Sequence, residues 1–65
     1  MEIRLEEVRK ARKMTQVQLG IALEMAPNTI SQYERGVREP DIATIKKFCD
    51  FFRVSTDHFL NYPNQ

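Results

Sequence analysis

Two helix-start signals, at Thr15 and Pro27, set the strongest limit on what this chain can fold into. Thr15 is a good N-cap, and Gln18, three residues later, completes a capping box. Pro27 suits the first position of a following helix, because it has no amide hydrogen to lose there and its φ already fits the turn. The signals predict one helix over about residues 16 to 23 and a second over about residues 27 to 34. Only about three residues then separate the two helices, so they must meet at a sharp angle.

Three further helices are predicted around this pair. Between Ile3 and Arg12, apolar residues recur at the three-residue step of a helix stripe, with charged residues between them. Asp41 is a good N-cap for a fourth helix, and Ser55 begins a last helical turn. The side chains predicted to face inward from these two C-terminal helices are Ile42, Ile45, Phe48, Cys49, Phe52, Phe59 and Leu60. No segment alternates as a half-buried strand does, so the expected fold is all-α, a compact five-helix bundle.

Length and composition predict a single small domain. A chain of 65 residues can bury only one core, so we expect one domain over residues 1 to 65 with its core at about residues 3 to 60. The net charge of +1 gives no global argument for nucleic acid. No apolar run reaches the roughly 18 residues that span a bilayer, and the N-terminus lacks the apolar core of a signal peptide. We therefore expect a cytoplasmic protein that does not contact a membrane.

The sequence offers no recognisable catalytic or metal-binding arrangement. The single cysteine, Cys49, lies in the apolar stripe of the fourth helix and is predicted to be a small core residue. The single histidine, His58, is distant in sequence and is predicted to lie on the surface. Paired carboxylates, a nucleophile with a base and a phosphate-binding loop were not found. The expectation is a protein that is not an enzyme and needs no cofactor or metal.

The sequence resembles the phage repressor and Cro type of helix-turn-helix domain, the XRE family. The resemblance rests on Thr15-Gln16-x-x-Leu19, on Thr29-Ile30-Ser31-Gln32-Tyr33-Glu34-Arg35-Gly36, and on the later Pro40 and Val54-Ser55. It covers about residues 3 to 60. It implies a lambda-repressor-like DNA-binding domain with the helix-turn-helix at helices two and three, in which the second of these helices enters the major groove.

Three residues of the predicted helix-turn-helix deserve separate expectations. Gly20 stands where the two helices approach each other, and a small residue is needed there. Glu24 occupies the turn position that is most often glycine in the family, so it must adopt a left-handed conformation or shift the turn. Ala26 replaces the usual serine or threonine cap before helix three, which leaves amide groups there without a side-chain acceptor.

Asn28 and Gln32 are the predicted base readers. They lie four residues apart and so project from one face of helix three, away from Ile30 and Tyr33. A side-chain amide both donates and accepts, which matches the N6 and N7 edge of adenine in the major groove. The resemblance adds Pro27, which would contact a thymine methyl, and Ser31, which would reach a base or a phosphate.

Other residues are predicted to contact phosphate, to stabilise the fold or to form a dimer. Phosphate contacts are expected from Gln16, Thr29, Arg35, Arg38, Lys13 and Lys10. The resemblance implies that Arg9 and Glu34 form a partly buried structural ion pair. It also implies a homodimer, either weak or formed only on DNA, through a surface around Phe59, Leu60 and Tyr62.

Val17, Ile21 and Phe51 are harder to assign. Val17 and Ile21 share one face of helix two, at positions where the family usually has polar residues, and Phe51 lies beside the apolar stripe of helix four. The favoured interpretation is that they complete the core of a small domain. The alternative is an apolar patch for a partner or a second copy.

The resulting functional prediction is a sequence-specific transcriptional regulator, a repressor, that binds a double-stranded operator with two-fold related half-sites about one DNA turn apart. Two alternatives remain open. One is a regulator of the antitoxin or restriction-controller type, which adds a protein partner or a self-regulating operator. The other is a protein-interaction module that has kept the fold but does not bind DNA.

Overall fold

The computed structural model describes residues 3–60, and within that range the fold consists of five helices and no strand. The helices are α1 (Leu5–Ala11), α2 (Gln16–Leu23), α3 (Pro27–Glu34), α4 (Ile42–Phe52) and α5 (Thr56–Leu60). The predicted all-α five-helix bundle is confirmed. Within residues 3–60, none of the helices has the length and apolar character that crossing a membrane requires.

The core is built around three phenylalanines from α4 and α5. Phe48, Phe52 and Phe59 are fully buried. The Phe48 ring stacks on Phe59 with centroids 5.8 Å apart, and it meets Tyr33 of α3 edge-on at 5.9 Å. Burying a large apolar side chain contributes about 1.5 to 3 kcal/mol, so these rings supply much of the stability of a small domain. They also form the support against which α3 packs.

Cys49 lies in the same core, as the sequence predicted. Burial raises the pKa of the Cys49 thiol above its ordinary value. A buried thiol that resists ionisation is a poor nucleophile. Its role is therefore that of a small apolar side chain.

The predicted start of α2 is confirmed in detail. The Gln18 amide donates to Thr15 Oγ1 at 3.0 Å, and the Thr15 amide donates back to Gln18 Oε1 at 2.9 Å. This reciprocal pair is the capping box, which gives two amides acceptors that the helix itself cannot provide. It fixes the residue at which α2 begins.

Residues 24 to 26 form the whole connection between α2 and α3. Glu24 adopts the left-handed conformation, with φ 58° and ψ 44°, so the first of the two predicted outcomes is the one observed. Met25 follows Glu24, and its amide donates to the Gly20 carbonyl at 2.8 Å. The left-handed conformation costs a residue other than glycine about 1 kcal/mol. The packing around the turn must therefore stabilise it against that strain.

Gly20 is required at the point where this turn folds against α2. A Cβ at this position would lie 2.4 Å from the Met25 carbonyl oxygen and 3.5 Å from the Pro27 nitrogen. Both atoms belong to the backbone, so they cannot move aside as a flexible side chain would. The prediction that a small residue is needed here is confirmed. The atoms that leave no room for a Cβ belong to the backbone of the turn and to the first residue of α3.

The first helix is shorter than predicted. It begins at Leu5 rather than near Ile3, because the Arg4 amide donates to the Phe59 carbonyl at 2.7 Å and Arg4 itself has a non-helical φ and ψ. It ends at Ala11 because Lys13 takes a left-handed conformation with φ 57°. Apolar spacing could not reveal either event, since both depend on backbone geometry.

Several apolar residues predicted to face inward are exposed instead. Ile42 is 84% exposed, so its place in the inward stripe of α4 was wrong. Ile42 is the first residue of α4, whereas the buried residues of that helix begin at Ile45, so its exposure follows from its place at the helix end. An apolar residue at a helix end can thus lie beyond the edge of the core.

The favoured interpretation of Val17 and Ile21 was also wrong. Their exposed fractions are 54% and 76%, because α2 buries the opposite side, which carries Leu19, Gly20 and Leu23. Phe51 is 38% exposed and meets the Phe52 ring edge-on.

Candidate nucleic-acid interface

Helix α3 has one packed side and one open side. Ile30 and Tyr33 are buried in the core. On the open side, Pro27 and Asn28 are exposed, while Ser31 and Gln32 are half-buried. Asn28 and Gln32 lie four residues apart, so both amides project from the same side. The structure thus leaves both predicted base readers on the part of α3 that the core does not cover.

The first turn of α3 satisfies most of its own backbone groups. Ala26 provides no side-chain cap, as expected, but its carbonyl accepts from the Thr29 amide at 3.0 Å and from the Ile30 amide at 3.2 Å. Pro27 has no amide hydrogen. The Asn28 amide is therefore the one donor of this turn that has no acceptor among residues 3–60. Ala26 leaves fewer amides open than its lack of a side-chain oxygen implied.

The far end of α3 is fastened by a buried ion pair. Arg9 donates to Glu34 through two nitrogens, with Nε 2.6 Å from Oε2 and Nη2 3.1 Å from Oε1. The two side chains are only 8% and 3% exposed. The hydrogen bond to Glu34 raises the pKa of Arg9 above its ordinary value, which outweighs the opposing effect of burial. This is the two-pronged geometry in which arginine binds carboxylates most strongly.

Further hydrogen bonds make this ion pair a junction of three segments. Arg9 also donates from Nη1 to the Met14 carbonyl at 2.7 Å, in the turn between α1 and α2. Gln16, the first residue of α2, donates from Nε2 to Glu34 Oε1 at 2.9 Å. One carboxylate thus connects the end of α3 with α1 and with the start of α2. The junction fixes the orientation of α3 relative to α2.

The residues predicted to contact phosphate are spread over several environments. Gln16 donates one of the two hydrogens of its amide nitrogen to Glu34, so the second hydrogen and the backbone amides of its turn are the donors left for a phosphate. Lys10 is exposed and pairs with Glu6, with Nζ 3.0 Å from Oε2. Lys13 is exposed in the turn after α1, and Thr29 is half-buried. An exposed ion pair such as that of Lys10 is weak, and it does not prevent contact with another anion.

The two arginines after α3 take different positions. Arg38 lies over the Tyr33 ring, with its guanidinium carbon 5.9 Å from the ring centroid. Arg35 instead extends back along α3, and its Nε donates to Ser31 Oγ at 3.3 Å. The sequence predicted a common role for these arginines because they are near each other in the chain. Their difference depends on how far the helical backbone continues past Glu34, which the sequence does not show.

The predicted dimer surface requires a correction. Phe59 and Leu60 are buried in the core of the single chain, so they are not available for a contact with a second copy. They pack inward because α5 folds back against α4 and the N-terminal segment, where the Phe59 carbonyl accepts from Arg4. Tyr62, the third residue of that prediction, lies outside the described residues.

A short helix held outward by a tight three-residue turn, with amide side chains on its open side, defines the class of helix-turn-helix DNA-binding domains. Comparison with known proteins agrees. The chain belongs to the helix-turn-helix family, whose model matches residues 5–59. That family is one of DNA-binding transcriptional regulators.

The chain is also similar to the HTH-type transcriptional regulator ImmR of Bacillus subtilis (strain 168). The two sequences are 39% identical over 57 residues, which is 88% of this chain and 45% of that protein. The chain therefore spans less than half the length of that relative.

Proposed function

We propose that this protein is a sequence-specific repressor of transcription that reads the major groove of double-stranded DNA with α3. The observation that carries the proposal is the open side of α3, where Asn28 and Gln32 project while Ile30 and Tyr33 are packed behind them. A major groove about 12 Å wide admits one α-helix. The family membership and the name of the Bacillus subtilis relative, a transcriptional regulator, support the same proposal.

Base reading is assigned to the amides of Asn28 and Gln32. Each can accept from adenine N6 and donate to adenine N7 at the same time, which no other base edge permits in the same way. Pro27, exposed at the first position of α3, presents an apolar ring suited to a thymine methyl. Ser31 lies on the same side, with its hydroxyl next to Arg35.

Phosphate binding is assigned to groups that flank α3 on both sides. Arg38 supplies a charge beside Tyr33, and the start of α2 supplies its open backbone amides and the second Nε2 hydrogen of Gln16. Thr29, Lys10 and Lys13 extend the contact along the backbone of the duplex. Such contacts fix the position of a protein on DNA without reading its sequence.

The operator is proposed to contain two half-sites related by a two-fold axis, each read by one copy of the chain. One short helix contacts only a few base pairs, so paired half-sites about one DNA turn apart multiply the specificity. With Phe59 and Leu60 buried in the single chain, the homodimer is proposed to be weak or to form only on DNA.

Selection from random double-stranded DNA tests this function. We expect an enriched site that contains adenine and is repeated as a spaced palindrome, together with two protein chains per duplex in sedimentation measurements. A folded protein that enriches no sequence at low salt would contradict the proposal, and would favour the interaction module instead. One chain on an unrepeated site would contradict the dimer alone.

Gln32→Ala is expected to reduce discrimination at one base position. Loss of a two-bond contact with a base weakens binding to the preferred site by about 1 to 3 kcal/mol and leaves other sites nearly unchanged. The measurement is competition binding with duplexes that carry single base-pair replacements. Arg38→Ala is the comparison variant, which should weaken every duplex alike and reduce the salt dependence. Equal effects of both variants on every sequence would show that the division between the two roles is wrong.

A further inference from the structure

Arg35 lies on the side of α3 that faces outward, together with the amide side chains. At about 100° per residue, the side chains of Asn28, Gln32 and Arg35 fall within a sector of roughly 60°, opposite Ile30 and Tyr33. The backbone of Arg35 is still helical, with φ −85° and ψ −3°, so this count remains valid at its position. Arg35 thus continues the row of residues that the proposed function places against the bases.

The Arg35 side chain extends along α3, so its guanidinium lies towards Asn28 and Gln32. Helical side chains lean towards the N-terminus, and the Arg35 Nε does so by donating to Ser31 Oγ, one turn earlier, at 3.3 Å. Its two terminal nitrogens, Nη1 and Nη2, have no acceptor among residues 3–60. The guanidinium is therefore held at one nitrogen and open at the other two.

Arg38 provides the contrast within the same molecule. Its guanidinium lies over the ring of Tyr33, a residue of the packed side of α3, and not along the row of Asn28 and Gln32. Arg38 is thus placed at the flank of the helix, where the sugar-phosphate backbone of a duplex would run. The two arginines carry the same charge but would face different parts of a duplex bound at α3.

Resting on the proposed function, we propose that Arg35 is a specificity-determining residue that reads a guanine, and that Ser31 is its positioning residue. Guanine presents two acceptors, O6 and N7, in the major groove, and the paired Nη1 and Nη2 groups of arginine match them. The Ser31 hydroxyl accepts from Nε and holds the guanidinium pointing away from the helix end. The half-site then contains a guanine in addition to the adenines read by Asn28 and Gln32.

The test compares Arg35→Ala with Arg38→Ala on the preferred site and on its single base-pair replacements. Arg38→Ala removes a proposed phosphate contact and should reduce the salt dependence, whereas Arg35→Ala removes a proposed base contact and should change the salt dependence less. Arg35→Ala is expected to abolish the preference for guanine at one position, a loss of about tenfold or more. Arg38→Ala is expected to leave that preference intact. Both residues are exposed, and urea unfolding of each variant verifies that the fold is retained.

Ser31→Ala tests the positioning role. We expect a smaller loss at the same base position, and no additional loss there when Ser31→Ala is combined with Arg35→Ala. A loss that falls at another position would show that Ser31 reads DNA by itself and would overturn its assignment.

Arg35→Ala that weakens all duplexes equally, as a phosphate ligand would, overturns the guanine assignment and leaves the proposed function standing. An unmodified protein that prefers no duplex at all overturns the proposed function, and this assignment with it. The two failures are therefore distinguishable in one set of binding measurements.

Discussion

Glu34→Ala is expected to lower the free energy of unfolding by about 3 to 5 kcal/mol, because it leaves the guanidinium of Arg9 in a buried site without its carboxylate. Gln16 loses the same acceptor. A domain of this size has roughly 3 to 10 kcal/mol of total stability, so most of it would be lost. Urea unfolding followed by circular dichroism measures the difference.

Glu6→Ala is the matched control for this substitution. It also removes a glutamate from an ion pair, but Glu6 and Lys10 are more than half exposed, and solvent screens such pairs so that they contribute little to stability. If Glu34→Ala lies within about 0.5 kcal/mol of the unmodified protein, the structural role of the pair is refuted. The double variant Arg9→Met with Glu34→Leu should recover part of the loss, since no unpaired charge remains.

Gly20→Val is expected to destabilise the domain by about 3 kcal/mol, the upper end of the range for overpacking. Its Cβ alone would lie 2.4 Å from the Met25 carbonyl oxygen, and the two methyl groups need further space. The turn must move, and α3 moves with it. Affinity for the selected DNA site should therefore fall even though every residue proposed to contact DNA is unchanged. Thermal unfolding and DNA binding measure the two effects.

The sign of the smaller change Gly20→Ala decides whether this explanation is correct. Helix propensity alone would make alanine more stable by up to about 1 kcal/mol, whereas the contact with Met25 makes it less stable. A stabilised Gly20→Ala variant would refute the explanation. Gly36→Ala serves as the comparison, because Gly36 has φ 75° and open space around it, so only backbone strain of about 1 to 2 kcal/mol is expected.

The features that could be predicted from the sequence are those that local chemistry determines. The capping box of Thr15 and Gln18 and the helix start at Pro27 each depend on a few adjacent residues. The left-handed conformation of Glu24 was one of two outcomes that the resemblance implied, since this turn position is most often glycine in the family. Local signals of this kind define where helices begin and end, and the angle between α2 and α3 follows from them.

The features that could not be predicted depend on how the helices pack. Val17 and Ile21 are as apolar as core residues, and only the arrangement of α2 against its neighbours shows that they face outward. Helical spacing predicted that Phe59 and Leu60 face inward, as observed, whereas the dimer surface implied by the resemblance needed the same two residues to be open, and their burial in the single chain contradicts it. Burial is a property of the assembled bundle. The apolar pattern of a single helix does not determine which of its sides faces the core.

The candidate site shows the same division. The outward row of Asn28 and Gln32 followed from helical spacing, but the difference between Arg35 and Arg38 depends on whether the backbone stays helical past Glu34. The bond from Gln16 to Glu34 was not predicted either, because it joins two helices.

The first turn of α3 binds most of its own amides, and this affects selectivity and affinity for DNA differently. With the Ala26 carbonyl accepting from both Thr29 and Ile30, the end of α3 that would meet the floor of the groove offers an anion a single peptide hydrogen, that of Asn28. Its electrostatic pull on the sugar-phosphate chains is correspondingly small. The affinity for DNA then comes mainly from the groups on either side of α3. The helix itself can discriminate between sequences while adding little sequence-independent affinity.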